Sequence, residues 1–174
     1  MIIISGPSTI GKNPFIYKAC DLYNLKYIVP YTTRAIRQEE KNGKDYVFLS
    51  KKDFQSKIKS NKINEWDYCL DNYYGYMFNF PITKSQITHG LSRMALRIKA
   101  KHPNKITTVF IMPKDKDIIF KKLKEIYTGK QLLLREALVE EEICHSSMFD
   151  FIFTRPKSIF DLLYEKEMKN ILLN

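Results

Sequence analysis

The sequence is poor in cysteine, histidine and long apolar runs, and each shortage argues against a class of protein. Its three cysteines are widely spaced, which argues against a disulfide framework or a paired-cysteine metal knuckle, so we expect reduced thiols. Its three histidines do not pair at helical spacing, which argues against a histidine-built zinc site. No apolar run approaches the roughly 20 residues that a membrane-spanning helix needs. We therefore predict a soluble, cytoplasmic protein with no signal peptide and no membrane partner.

The length and the charge of the chain narrow the class further. Its 174 residues fit one domain, and the composition is globular, with 44% hydrophobic and 28% charged residues. The net charge of +10 suits a polyanionic partner, either nucleotide phosphates or a nucleic acid. Because the lysines are spread along the chain and no arginine-rich arm stands out, we do not expect nucleic acid. Nothing in the sequence indicates an oligomeric state.

Apolar spacing and turn signals predict strands that alternate with helices. Asn42-Gly43 predicts a turn, and the Ser50–Asp53 segment predicts a capping box at the start of a helix. The predicted strands cover residues 2–5, 27–29, 46–49, 73–80, 93–98, 107–112 and 149–154. The predicted helices cover residues 14–23, 50–59, 84–90, 115–127, 131–144 and 159–172. This alternation indicates a parallel sheet covered on both faces. Residues 31–83 break the rhythm, so we predict a single domain over 1–174 whose core, about 1–30 and 84–174, carries a small β-rich insertion.

A glycine-containing loop directly follows the first predicted strand and precedes a helix. Seven of its residues match the pattern G-x-x-x-x-G-K, namely Gly6, Pro7, Ser8, Thr9, Ile10, Gly11 and Lys12. In this context backbone N–H groups and the helix N-terminus bind phosphate, and Lys12 would reach the β- and γ-phosphates of a nucleotide. Asn13 stands where a serine or threonine hydroxyl usually ligates Mg²⁺, so we predict a weak or water-mediated Mg²⁺ site there.

Four further segments carry a family likeness. They are Thr32-Thr33-Arg34-Ala35-Ile36-Arg37, Asn42-Gly43-Lys44-Asp45-Tyr46-Val47-Phe48, Glu65-Trp66 and Asn72-Tyr73-Tyr74-Gly75. In order and spacing they resemble the GMP-binding region of the guanylate kinases, clearly over about residues 2–76 and more loosely up to the strand that ends at Met112. The resemblance implies an α/β fold of the P-loop nucleoside monophosphate kinase type. Such a fold has a parallel sheet flanked by helices, a β-rich acceptor-binding insertion and a short lid, here at about 126–131.

The chemistry of a nucleoside monophosphate suggests a role for each matched residue. Arg34 and Arg37 can clamp its phosphate, because guanidinium forks match phosphate oxygens. Tyr46 and Tyr74 can donate phenolic hydrogen bonds to the same phosphate. Guanine presents two adjacent donors on its pairing edge, and the resemblance makes Glu65 the carboxylate that accepts both.

Two positions near the base and one near the adenine depart from the family pattern. The family has serine or threonine where this chain has Pro30 or Tyr31, and again where it has Tyr76. We therefore place Tyr76 beside the base and expect altered base contacts. The late Asn-Asp of the family is replaced by Thr154-Arg155-Pro156, so the adenine contacts are expected to differ as well.

The metal-side acids and the lid also depart from the family. The aspartate-bearing strand of the family is aligned here with Arg93–Lys99, which lacks carboxylates, and Arg93 and Arg97 would share one face of that strand. Around the lid, lysines replace several arginines of the family. Arg135 best matches the family's arginine on the helix after the lid, which would stabilise the transferring phosphoryl group.

The resemblance therefore implies an ATP-dependent kinase of a nucleoside monophosphate. We expect GMP or dGMP as the acceptor, GDP or dGDP as the product, Mg²⁺ as the cofactor, and Lys12 and Arg135 as catalytic residues. The alternative is a catalytically weak module of the same fold that binds nucleotides or phosphorylated partners, which Asn13 and the missing aspartates favour. A kinase for another small phosphorylated acceptor and a nucleic-acid binder also remain open.

Overall fold

The structure of this chain is a computed structural model that describes residues 1–78, 81–155 and 158–173. Phe80, at the end of one predicted strand, Pro156, beside Arg155, and the terminal Asn174 lie outside the described residues. The chain divides into two compact units. The large unit comprises Met1–Tyr27 and Lys84–Asn174, and the small unit is Ile28–Thr83.

Strands and helices follow one another along the described residues. The strands are β1 (Ile2–Ser5), β2 (Lys26–Tyr27), β3 (Tyr31–Thr32), β4 (Val47–Phe48), β5 (Glu65–Cys69), β6 (Asn72–Tyr76), β7 (Gln86–His89), β8 (Thr107–Met112) and β9 (Phe151–Thr154). The helices are α1 (Lys12–Tyr23), α2 (Lys51–Lys59), α3 (Ser92–Lys101), α4 (Lys116–Ile126), α5 (Gly129–Cys144) and α6 (Lys166–Leu173). Two short 3-10 helices cover His145–Met148 and Ile159–Tyr164.

The large unit is built on a parallel sheet. Among the described residues the sheet has five strands in the order β2-β7-β1-β8-β9, and all its pairings are parallel. All residues of β1 and β7 are buried, as expected when both faces of a central strand are covered. The apolar core includes Phe15 and Ile16 from α1, Val109 from β8 and Leu163 near the end of the chain. The predicted α/β fold with a parallel sheet flanked by helices is confirmed.

The small unit holds a separate sheet in the strand order β4-β3-β6-β5. The antiparallel pairing of β5 with β6 places Glu65 opposite Tyr76 and Asp67 opposite Tyr74, so these four side chains share one face of the sheet. The opposite face receives α2, whose Phe54 ring stacks on Tyr73 with the ring centroids 5.2 Å apart. This alternation separates the aromatic packing face of the small sheet from the face that carries the predicted acceptor residues.

Local signals positioned several elements correctly. Ser50 caps α2 by accepting a hydrogen bond from the backbone N–H of Asp53 at 3.0 Å, which is one of the two bonds of the predicted capping box. The Asp53 carboxylate accepts from the Ser50 hydroxyl at 2.7 Å. The predicted Asn42-Gly43 turn is present, and the N–H of Gly43 donates to the carbonyl of Tyr46 at 2.8 Å. The terminal segment is broken into a 3-10 helix and α6 where one helix was predicted. No helix among the described residues is long and apolar enough to cross a membrane.

Residues 84–101 correct the prediction most strongly. The segment predicted as a helix contains β7, and the segment predicted as a strand is α3. Gln86, Thr88 and His89 are polar but buried, because β7 lies between β1 and β2. A polar strand in the middle of a sheet lacks the apolar run by which buried parallel strands are recognised. In contrast, Met94 and Ile98 give α3 a buried helical face.

Candidate active site

The carboxyl ends of the parallel strands bring three segments of the large unit to one edge of its sheet. There β1 continues into the glycine-containing loop, next to the ends of β7 and β8. Ser5 donates its hydroxyl hydrogen bond to the carbonyl of Gly90 at 3.0 Å, which ties the start of the loop to the end of β7. This edge is where open α/β sheets bind ligands.

Close packing explains why the loop begins with glycine. A Cβ on Gly6 would lie 2.6 Å from the carbonyl oxygen of Ile111 on β8, and Gly6 has a φ of +145°. Gly11, directly before α1, has a φ of +97°. Thr9 also has a positive φ of 67°, and its buried Oγ1 has no hydrogen-bond partner among the described residues. Glycine adopts a positive φ readily, whereas the same conformation costs energy at Thr9. A loop with such conformations can turn its backbone N–H groups inward to form an anion-binding site.

The side chain of Lys12 folds back onto the glycine-containing loop that precedes it in sequence. Its Nζ donates to the carbonyl oxygens of Gly6 at 2.6 Å and Pro7 at 3.0 Å. Because Lys12 and Asn13 begin α1, the ammonium group adds its charge at the positive end of a helix. Ile10, by contrast, is fully buried in the core, so this predicted loop residue fixes the loop rather than presenting a side chain to a ligand.

A buried carboxylate behind the loop was missed by sequence reasoning. Glu142 of α5 is only 4% exposed and accepts hydrogen bonds from the N–H and the hydroxyl of Ser92, at 2.8 and 2.9 Å. His145 Nδ1 lies 2.7 Å from the same hydroxyl. Burial raises the pKa of the Glu142 carboxyl, while the Ser92 bonds and the charge of Lys12 oppose that rise. The only sequence signal was its spacing of three from the buried Val139 on α5.

The predicted lid is mostly helical. Residues 126–131 comprise the end of α4, a two-residue connection and the first residues of α5, and their action as a lid remains a prediction. Arg135 lies farther along α5, and its guanidinium carbon is 3.8 Å from the centroid of the Tyr127 ring. This cation–π contact fixes the direction of the Arg135 side chain. A role of Arg135 in phosphoryl transfer remains a prediction.

Arg93 and Arg97 do not share a strand face, because both lie on α3. Four residues apart, they fall on one side of the helix instead. Arg93 is 3.3 Å from a carboxylate oxygen of Glu141 on α5. The strand that precedes α3 is β7, and at its end lies the buried His89, whose ring stacks on Tyr27 with the ring centroids 6.0 Å apart.

Two threonines anchor the predicted acceptor loop in the small unit. The Thr32 hydroxyl donates to the carbonyl of Tyr73 at 3.0 Å and accepts from the N–H of Arg34 at 3.2 Å. The Thr33 hydroxyl accepts from the N–H of Tyr73 at 2.9 Å. These bonds fix the backbone to β6 immediately before the arginine that was predicted to hold a phosphate.

Arg34 lies in a cradle of aromatic rings and oxygens. Its guanidinium carbon is 5.6 Å from the centroid of the Tyr46 ring and 5.7 Å from that of Phe48. Nη2 donates to both carboxylate oxygens of Glu40, at 2.7 and 2.9 Å, and Nη1 donates to the carbonyl of Ala35 at 2.7 Å. Burial alone would lower the pKa of Arg34, but its hydrogen bond with Glu40 and the charge of Glu40 raise that pKa above its usual value.

The other predicted phosphate contacts gather around the same loop. The Tyr46 and Tyr74 rings meet edge to face with their centroids 6.3 Å apart. Burial and the neighbouring Tyr74 raise the pKa of Tyr46, so its hydroxyl keeps its proton and can donate a hydrogen bond to an anion. Arg37 is joined to the loop through its backbone N–H, which donates to Glu40 at 2.9 Å.

Glu65 and Tyr76 are paired across the two strands of the small sheet. Glu65 is 7% exposed and Tyr76 is fully buried, with its ring stacked on Phe78 at 5.1 Å. Gly75 keeps these strands close, since a Cβ there would lie 2.8 Å from the carbonyl oxygen of Glu65. The structure thus places the predicted base-reading residues side by side. Their contacts with a base remain a prediction.

The loop has too few oxygen ligands to hold a divalent cation by itself. Its residues fit a cation that binds together with nucleotide phosphates. Among the described residues no group of three or more histidine, cysteine, aspartate or glutamate side chains could hold a metal. Asn13, half-buried on the first turn of α1, offers an amide oxygen. Thr9 offers its buried hydroxyl oxygen. Mg²⁺ commonly keeps several waters and substrate phosphates as ligands, so a sparse donor set of this kind is compatible with it.

The comparisons with known proteins agree with this geometry. The sequence model of the family described as guanylate kinase matches residues 1–166. The chain belongs to the guanylate kinase family. The predicted family and the predicted phosphotransferase class are thereby confirmed, and guanylate kinases are nucleotide kinases that generally use a divalent metal.

Individual guanylate kinases resemble nearly the whole chain. One from Mycoplasma genitalium is 29% identical, with 100% of this chain and 75% of that protein covered. One from Buchnera aphidicola is 31% identical, with 87% of this chain and 78% of that protein covered. The crystal structure of the guanylate kinase from Anaplasma phagocytophilum superposes with a TM-score of 0.76 over 99% of this chain and 83% of that chain. At 23% identity, this last likeness supports the fold.

Proposed function

We propose that this guanylate kinase family member transfers the γ-phosphoryl group of ATP to GMP, or to dGMP, to give ADP and GDP or dGDP. The observation that carries the proposal is Lys12, retained on a phosphate loop with the strained backbone that such loops need. A module that only gripped a phosphorylated partner through the Arg34 loop would have little use for it. The family assignment favours the kinase in the same way.

In the proposed reaction the chain binds and orients two nucleotides and supplies positive charge. An oxygen of the acceptor phosphate attacks the γ-phosphorus, and the bond from that phosphorus to the bridging oxygen of ADP breaks. Lys12 and the loop N–H groups hold the donor phosphates, and Arg135 neutralises charge on the transferring group. Asn13 would hold a Mg²⁺ ion through its side-chain oxygen, and the ion would supply positive charge to the donor phosphates.

The small unit would select and hold the acceptor. Arg34, Arg37, Tyr46 and Tyr74 would receive its phosphate, and Glu65 would accept the two adjacent donors of guanine. Adenine offers an acceptor at that edge and would leave the buried carboxylate unpaired, which is how such a site rejects it. No general base is needed, because the attacking atom is already an ionised phosphate oxygen.

The test is ADP formation from ATP and Mg²⁺ with GMP, dGMP, AMP, CMP and UMP offered separately. We expect turnover with GMP and dGMP and little with the others. Turnover with another base would keep the kinase and overturn the role of Glu65. Binding of GMP without turnover by any acceptor would instead establish the binding module.

A further inference from the structure

Glu40 has been given no role so far, yet it contacts both arginine positions of the predicted phosphate clamp, Arg34 and Arg37. One carboxylate oxygen accepts from Arg34 Nη2 at 2.7 Å. The other accepts from the same nitrogen at 2.9 Å and from the backbone N–H of Arg37 at 2.9 Å. In the same turn the N–H of Glu40 donates to the carbonyl of Arg37 at 3.0 Å. Glu40 therefore joins both arginine positions of the clamp.

These contacts determine how the guanidinium of Arg34 is presented. Nη2 donates to Glu40, and Nη1 donates once to Ala35, which leaves the Nε hydrogen and one Nη1 hydrogen to donate to two separate acceptor atoms. The plane is further fixed by the rings of Tyr46 and Phe48. A flexible arginine would lose much more rotational freedom on binding phosphate than one that is already held in this way.

The Arg34–Glu40 ion pair is buried, so the loop depends on both partners for its stability. The side chains of Arg34 and Glu40 are only 9% and 12% exposed. A guanidinium buried to this degree without a counter-charge would be strongly destabilising, and a buried pair becomes costly when one partner is removed. The carboxylate thus keeps the charged fork in place before a phosphate binds.

We propose that Glu40 is a positioning residue of the acceptor site, which acts by holding Arg34 and the Arg37 backbone in the geometry that receives the acceptor phosphate. This inference rests on the proposed function, because it takes Arg34 to bind the acceptor. A rival view is that Glu40 occupies the place of the phosphate and must be displaced. The burial of both partners and the additional backbone bonds of the same turn favour positioning.

The central test compares Glu40→Gln with Glu39→Gln. Glu39 is the adjacent, exposed glutamate, so its substitution removes the same charge without touching the clamp. We expect Glu40→Gln to raise the KM for GMP about 10- to 100-fold, the range for loss of a charge-assisted hydrogen-bond pair, while kcat and the KM for ATP change less than about threefold. Glu39→Gln should leave all three constants unchanged, and Glu40→Asp should recover part of the loss.

A double-mutant cycle separates positioning from a merely structural effect. In the Arg34→Ala background, Glu40→Gln should raise the KM for GMP by no more than about twofold, because its effect passes mainly through Arg34. Equal effects in both backgrounds would overturn the inference. A lower KM for GMP in Glu40→Gln alone would show that Glu40 competes with the phosphate.

Two further readouts keep the test decisive. If Arg34→Ala does not change the KM for GMP, the proposed acceptor clamp fails. If Arg34→Ala raises that KM and Glu40→Gln does not, only the role of Glu40 is wrong. Should Glu40→Gln fail to fold, Glu40→Asp takes its place in the cycle, since it keeps the charge but shortens the reach; an unchanged KM for GMP in that variant would overturn the inference.

Discussion

The glycine-containing loop of the large unit and the Arg34–Glu40 loop of the small unit are both proposed to bind a phosphate, but with different groups. In the first, Gly6, Thr9 and Gly11 have positive φ angles, and the proposed donors are backbone N–H groups. In the second, side chains provide the charge, and Glu40 and two threonines hold the arginine in place. A backbone site depends on which residues can adopt its φ values, whereas a side-chain site depends on pairs that can be altered one partner at a time.

Removing the single charged side chain of the phosphate loop should have the largest effect. We expect Lys12→Met to lower kcat about 100- to 1000-fold, as for loss of one charge-stabilising donor in an active site, with the KM for GMP changed less than about threefold. Steady-state kinetics would measure both. Lys18→Met on the exposed side of the same helix is the matched control. An equally large rise in the KM for GMP would show that the two loops do not act separately.

Crowding of the small sheet should have the next largest effect, on stability. Gly75→Ala would bring a Cβ within 2.8 Å of both the Glu65 carbonyl oxygen and Ile63 Cγ2, and 3.0 Å of Phe54 Cζ. We expect a loss of about 2–3 kcal/mol in the free energy of unfolding, typical of overpacking, as measured by denaturant titration. Gly43→Ala has open space around its Cβ but a φ of +77°, so it reports backbone strain alone. If Gly75→Ala and Gly43→Ala lost comparable free energies of unfolding, crowding around the new Cβ would not be the cause.

Base selection should respond to one carboxylate of the small unit. Glu65→Gln replaces one acceptor oxygen with a donor, so we expect kcat/KM for GMP to fall about 10- to 30-fold and the preference over AMP to shrink. Asp67→Asn is the control, because Asp67 shares the face of Glu65 but accepts from the Tyr68 N–H at 2.8 Å. A larger loss in Asp67→Asn would move the base-reading role to that residue.

The smallest effect is expected at the metal position. Asn13→Ser restores the hydroxyl that phosphate loops usually place there, so the Mg²⁺ concentration for half-maximal rate should fall about threefold, with kcat equal or higher. A Mg²⁺ titration at saturating ATP and GMP measures it. A clear drop in rate would indicate that Asn13 serves this site better than serine.

Sequence alone predicted what depends on short, local patterns. The Ser50 cap and the Asn42-Gly43 turn each require particular residue types at fixed spacing, and both are present. The glycine-containing loop also lies between β1 and α1 as predicted, and its binding of phosphate remains a prediction. The β7 strand was missed because its buried positions are polar. Such conflicts between local pattern and fold concentrate at functional edges of a sheet, and His89 lies at such an edge.

The partners of charged residues could not be predicted in the same way. Glu142 lies in a run of three glutamates, and such a run is usually solvated, yet it is buried against Ser92 some fifty positions away. Glu40 follows another glutamate, and only the folded loop distinguishes the buried one from the exposed one. Pairings of this kind depend on how the elements pack and leave little trace in spacing.

The central position of β1 also has a consequence for biosynthesis. Ile2 pairs with Ile87 on one side and with Thr107 on the other, so β1 leaves the ribosome well before either neighbouring strand. At about 5–20 residues per second this delay is roughly 5–20 s, during which an apolar strand has no sheet to join. The small sheet, whose strands are close in sequence, can form earlier. We expect chaperones that bind extended apolar segments to engage the nascent chain at Ile2–Ile4 before β7 and β8 have been synthesised.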